Sequence, residues 1–340
     1  MESEWIKVAP TGATSSKGTK WSGNVKIRDP KKVIVYFHGG GVSVDAYTAA
    51  RAREGFYADE GEYDPADNVG IPDDSEENPF RDWSVFDIAY STGDVHVGRG
   101  DFPYVDLEGN PAVLRHKGYV NYTLFMKEAV RLVPSPEKVI ICGFSAGAFG
   151  AALLADDVIS KYFPNASNVT VLPDSGILLY DKWKECAEKI WDAPREITAR
   201  MTGLDATVDS LVALREKYGE KVKILYATSV RDNVLNVYQS YIDGFGFKFS
   251  RESCDRFYEK LARTVGDLIA RLPSVGLYLW DEPVDCDPSR ATKHTVICFK
   301  DFYRKRYAGG LTCAEWLADA VDGHAARLGL EKLFPKGSEE

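Results

Sequence analysis

The 340-residue chain has no window approaching the roughly 18 consecutive apolar residues of a membrane-spanning helix, so no transmembrane span is expected. It has no basic stripe either: 42 Lys and Arg stand against 51 Asp and Glu, a net charge of −9. Between Ala58 and Phe80 lie nine acids and no Lys or Arg, and the rest of the chain is neutral, 42 against 42. An acidic chain without clustered cations argues against nucleic acid as a partner and offers nothing to attract a polyanion. There is no C-x-x-C pair among Cys142, Cys186, Cys254, Cys286, Cys298 and Cys313, and only five histidines, so neither a structural zinc site nor any other metal is expected. Cys142 falls in an apolar run and reads as a buried thiol, with disulfides among the other five left open. The opening MESEWIKVAP has no basic segment followed by an apolar one, so the expected location is the cytoplasm or, for a mature secreted form, outside after signal removal. The sequons at Asn121, Asn165 and Asn168 carry meaning only in a secretory pathway.

Short β-branched runs punctuate the chain: VIVYF (33–37), VFDIAY (85–90), KVIIC (138–142), VTVL (169–172), VKILYA (222–227) and VGLYLW (275–280). Between them come amphipathic helices, with Tyr122, Phe125, Met126, Ala129, Val130 and Val133 on one face of the first, and Phe257, Leu261, Val265 and Leu268 on another. Strands alternating with helices predict an α/β fold with a mostly parallel sheet covered on both faces. A single domain over 1–340 is expected, with an acidic insertion at about 45–81 and a small helical cap at about 182–220. The insertion lacks EF-hand spacing and reads as a solvated surface loop, the alternatives being a lid edge or a calcium-prone loop.

The chemistry concentrates in three places. Gly143-Phe144-Ser145-Ala146-Gly147 follows the apolar run KVIIC and opens an alanine-rich helix, the setting of a nucleophile elbow. His38-Gly39-Gly40-Gly41 follows VIVYF, and side-chain-free backbone there lets the amides of Gly40 or Gly41, with that of Ala146, face an oxyanion. His38 itself is read as bracing that loop. A serine nucleophile needs a base further along the chain. His324 falls in a C-terminal helical segment (312–327), whereas His294 follows VGLYLW after a polar loop and is the better candidate. For the orienting acid, Asp232 after VKILYA leads, with Asp174 as main competitor and Asp281 and Asp285 behind. Tyr90, Trp83 and Trp183 read as core rather than as stacking platforms.

FHGGG (37–41), AYSTGDVHVG (89–98), GFSAGAFG (143–150) and PDSG (173–176), with the Asp232 and His294 segments, resemble the pectin acetylesterase (Notum-like carboxylesterase) family over roughly residues 30–300. The resemblance implies an α/β-hydrolase-like fold and a Ser–His–Asp catalytic triad: Ser145 nucleophile, His294 base, Asp232 acid, with the oxyanion hole at Gly40, Gly41 and Ala146. It makes Asp174 structural and gives Asp94 and His96 a supporting role. It also implies a serine carboxylesterase that removes O-acetyl or other short acyl groups from a small-molecule or carbohydrate ester, without cofactor. Val42, Ser43 and Ser91 stand where secreted, disulfide-bonded members carry Trp or Cys. The competing expectations are hydrolysis of lipid acyl esters or polyesters, a non-catalytic binding protein with the same fold, and a serine peptidase, for whose appended propeller the chain is too short.

Overall fold

The computed structural model describes residues 4–65, 68–285 and 289–335. Its strands in chain order are β1 (Trp5–Val8), β2 (Gly23–Lys26), β3 (Asp29–Phe37), β4 (Trp83–Ile88), a hairpin of β5 (Asp101–Val105) and β6 (Pro111–Arg115), β7 (Lys138–Phe144) and β8 (Asn168–Asp174). Then come β9 (Val222–Ser229), β10 (Gly276–Trp280), a second hairpin of β11 (Arg306–Ala308) and β12 (Leu311–Thr312), and β13 (Arg327–Leu328). Nine of them form one sheet in the order β1-β2-β4-β3-β7-β8-β9-β10-β13. From β4 to β13 every pairing is parallel, while β1 and β2 join antiparallel at the other edge.

The central strands are apolar on both faces because both faces are covered. Val33, Val35 and Phe37 of β3 enter one core with α2 (Gly118–Leu132), α3 (Ala146–Asp157), α6 (Ala206–Tyr218) and α8 (Arg251–Arg271). Ile34 and Tyr36 point the opposite way, into a core closed by Trp316 and Leu317 of α10 (Cys313–Val321). The remaining helices are short: α1 (Ala46–Ala49), α4 (Trp183–Lys189), α5 (Arg195–Thr198), α7 (Leu235–Ile242) and α9 (Asp301–Arg304). In 182–220, Trp183 of α4 lies against Phe149 of α3 and against Trp191, which donates its indole N–H to the Ser43 carbonyl at 2.8 Å.

The C-terminal segment departs from the helix expected over 312–327. Helix α10 ends at Val321, Gly323 takes φ +104°, and Arg327–Leu328 pairs with β10 as an edge strand. Cys142, Cys186, Cys298 and Cys313 are free thiols, and Cys286 lies outside the described residues. Asn121 is buried with its carboxamide paired to the Thr14 backbone, so that sequon is closed in the folded chain.

Candidate active site

Strand β3 has β4 on one side and β7 on the other, so the chain winds outward in both directions from this pair. In such sheets the crevice at the carboxyl ends of the strands flanking the switch is where ligands sit. Phe37 stands opposite Gly143 across the β3–β7 ladder, which places the loop after Phe37 directly beside Ser145.

Ser145 holds φ +55°, ψ −125°, a conformation that few side-chain-bearing residues adopt. The turn that demands it is tight on both sides. A Cβ on Gly143 would overlap the Gly147 carbonyl, and one on Gly147 would overlap the Phe37 carbonyl. The Ser145 amide donates to the Asp174 carbonyl at 2.9 Å, and Ala146 opens α3, whose first amides have no acceptor within the helix.

Across the crevice Gly41 takes φ +75°, and any side chain there would overlap the Phe56 carbonyl and the Tyr238 hydroxyl. The insertion shapes this loop from outside: the Val42 amide donates to the Phe56 carbonyl and the Ala58 amide to the Gly40 carbonyl, both at 2.7 Å. The Tyr90 hydroxyl donates to the Gly41 carbonyl at 2.9 Å. Behind it, His96 is wedged between the rings of Phe37 and Tyr90, and its Nε2 meets the His38 carbonyl at 2.9 Å. Burial pushes the His96 pKa down to about 3, so the ring is neutral and donates its one N–H to that carbonyl. Asp94, also wholly buried, accepts from the amides of His96 (3.1 Å) and Gly118 (2.7 Å). Neither residue lines the cavity; His96 braces the glycine loop that does, and Asp94 holds the His96 backbone.

His294 approaches from the far side. Its Nδ1 lies 2.6 Å from Asp232 Oδ2, while Asp232 Oδ1 accepts the amides of Val234 (2.9 Å) and Leu235 (2.8 Å). The His294 amide donates to the Asn233 side chain at 3.0 Å, which fixes the backbone below the ring. Its Nε2 is buried and has no hydrogen-bond partner among the described residues. Ser145, His294, Gly40 and Gly41 line one cavity of about 910 Å³ with Tyr57 and Tyr238. A second, much smaller apolar cavity of about 10 Å³ adjoins it, bounded by Gly41, Val95, Ser145, Phe149, Leu178 and Leu235.

The other sequence candidates lie elsewhere. The Asp174 carboxylate accepts the amides of Val296 (2.7 Å) and Ile297 (2.9 Å), and burial raises its pKa to about 6. Asp281 and Asp285 are exposed, as is His324. Cys298 lines the cavity, but burial pushes its thiol up to about 12, so it stays protonated. Trp83 and Trp183 are buried in the core. Sequence reasoning missed Asn233, Tyr63 and Asp87, and took Tyr90 for packing alone. Only the dipeptide Asp232-Asn233 at a strand exit offered a signal. Among the described residues no three Asp, Glu, His or Cys side chains converge as a metal would need, and no helix is long and apolar enough to cross a membrane.

A family model described as pectinacetylesterase matches residues 23–215, more than half the chain and the part that carries both the glycine loop and Ser145. The chain belongs to the pectinacetylesterase family. It is accordingly a hydrolase of carboxylic esters. No curated protein sequence matches it. Among solved structures it is similar to the Wnt deacylase Notum from Drosophila in two crystal forms, with TM-scores of 0.65 and 0.61 at 17% and 15% identity, each alignment covering 96% of both chains. At that identity the likeness concerns the fold, which is α/β-hydrolase-like. The pectinacetylesterase match ends at residue 215, before Asp232 and His294, so those two rest on geometry alone.

Proposed function

We propose that this pectinacetylesterase-family chain is a serine carboxylesterase that removes acetyl or other short acyl groups from a carbohydrate or small-molecule ester. The observation that carries the reading is His294, whose Nδ1 is held by Asp232 while its buried, unpartnered Nε2 shares a cavity with Ser145. Asp232 keeps the N–H on Nδ1, so Nε2 is the basic nitrogen. His294 takes the Ser145 proton as Oγ adds to the acyl carbonyl, then gives it to the departing alcohol oxygen, leaving an acyl-serine. Water adds to that ester, His294 accepts its proton, and the proton returns to Ser145 Oγ as the carboxylic acid leaves. The amides of Gly40, Gly41 and Ala146 stabilise the oxyanion at each addition; one such donor contributes about 3–4 kcal/mol in measured systems.

The small cavity beside Ser145 supports the short-acyl reading. About 10 Å³ receives one water-sized or methyl-sized group, which suits acetyl. The alcohol then lies in the larger cavity, where Asn233, Lys293 and Asp301 supply polar contacts. The test is hydrolysis of p-nitrophenyl acetate, butyrate and octanoate by the wild type and by Ser145→Ala. Acetate is expected to be the fastest, with a loss of about 10⁴-fold or more in the variant. Equal rates in the two proteins would sink the assignment of Ser145, and octanoate outrunning acetate would sink the short-acyl reading.

A further inference from the structure

Ser145 directly follows β7 and His294 follows β10, with β8 and β9 standing between those strands in the sheet. Nothing in either strand sets the separation of the two side chains. One residue touches both loops. The Asp174 backbone carbonyl accepts the Ser145 amide at 2.9 Å. Its carboxylate Oδ2 accepts the amides of Val296 at 2.7 Å and Ile297 at 2.9 Å, two and three residues past His294, and Oδ1 receives the Ser175 hydroxyl at 3.0 Å. We propose that Asp174 is a positioning residue that holds the His294 loop in register with the Ser145 elbow.

The loop needs such a hold. Thr295, between His294 and the tethered amides, is β-branched and takes φ +57°, a conformation that persists only where its surroundings impose it. On the other side of His294 the restraints are the Asn233 side chain on its amide and the Trp280 indole N–H on the Lys293 carbonyl at 3.0 Å. On the far side the Asp174 carboxylate, which is wholly buried, holds the amides of Val296 and Ile297, while the Ile297 carbonyl accepts the Ile71 amide at 2.8 Å. Removing the carboxylate strips the acceptor from two buried amides, lets Thr295 relax and shifts the imidazole. Asp174 does not touch the imidazole, which Asp232 already holds. Its task therefore requires acceptor oxygens rather than charge. An asparagine oxygen can take the same two amides, with its NH₂ group turned to the Ser175 hydroxyl.

The inference rests on the Ser145–His294 reading. Its test is p-nitrophenyl acetate hydrolysis by Asp174→Ala and Asp174→Asn, with kcat taken per active site titrated by a fluorophosphonate and Ser145→Ala run alongside. For Asp174→Ala, kcat is expected to fall about 100-fold, the cost of a displacement of roughly 1 Å at a reacting centre, with KM within about threefold. For Asp174→Asn, kcat is expected to stay within about tenfold of wild type. A residue that served only folding would lower the yield of titratable sites and leave kcat per site intact. Wild-type kcat in Asp174→Ala overturns the proposal, and so does an Asn variant as slow as the Ala variant. Should Asp174→Ala not fold, Asp174→Ser, too short to reach both amides, takes its place with the same two outcomes. Full activity in Ser145→Ala would overturn the catalytic reading itself, whatever the Asp174 variants do.

Discussion

Two imidazole–carboxylate pairs flank Ser145, each closed at 2.6 Å, and they are built the opposite way round. In one, Asp87 takes the distal nitrogen of His38, Nε2. The Tyr63 hydroxyl also reaches that nitrogen at 3.1 Å, and the ring is packed among Tyr36, Tyr63 and Phe144. Asp87 is further engaged by Asn68 and Tyr63. In the other, Asp232 takes the proximal nitrogen of His294, Nδ1, and the distal one is left without a partner. The first pair ties the glycine loop to β4 and to the acidic insertion; the second leaves Nε2 of a cavity-lining histidine unpartnered among the described residues. On the proposed assignment, a carboxylate beside a histidine is therefore no signature of a base. The signature is which nitrogen the carboxylate leaves over, and what that nitrogen faces.

The largest effect that tests this contrast is at His294. In His294→Gln, kcat/KM for p-nitrophenyl acetate should drop by about 10⁴-fold, as removal of a triad base does elsewhere. In His38→Gln, whose amide N–H still reaches Asp87, the loss should stay within about tenfold. Comparable losses in the two variants would erase the distinction.

A smaller effect concerns the side of Ser145 that faces the glycine loop. There Phe149, one turn along α3 from Ser145, bounds the small cavity and is backed by Trp183. In Phe149→Ala the ratio of butyrate to acetate turnover should rise on the order of tenfold, the scale at which apolar pockets discriminate single methylenes. An unchanged ratio would move the acyl group out of that cavity.

The smallest is a stability effect at His96, the neutral support of the His38 carbonyl. Its pKa of about 3 lies below the unfolded value of 6.5, so the unfolded chain binds the extra proton first as pH falls. Stability is therefore complete above pH 6.5 and declines toward pH 3. Between pH 7 and 5.5 this group should cost about 1 kcal/mol. Urea midpoints at the two pH values should draw apart by that much more in the wild type than in His96→Gln, and equal separations would mean that His96 is protonated in the folded chain.

Much of the fold is readable from the chain itself. Runs such as VIVYF (33–37) and VIIC (139–142) are apolar at every position because each strand is covered on both faces, and they fall inside β3 and β7. The strands toward the two margins of the sheet give no such sign. β1 reads WIKV, β2 reads GNVK and β13 is two residues long, and their pairing depends on a neighbouring strand rather than on any period of their own. At the candidate site, the glycine loop and the Ser145 turn are visible because each is a local backbone requirement. The acid was ambiguous for an equally physical reason: Asp174 and Asp232 both follow parallel strands, and only the neighbours of their carboxylates separate them.

What the sequence determined on its own is local: the continuous apolar runs of the doubly covered strands, and the close approach at Gly143 and Gly147 that turns β7 sharply into α3. What the tertiary structure alone decided is which nitrogen of each histidine meets a carboxylate. His38 and Asp87 are 49 residues apart, His294 and Asp232 are 62 apart, and no local pattern relates their side chains. Which nitrogen each carboxylate meets is set by where neighbouring strands end in the sheet, and that placement exists only once the cores on both faces have closed.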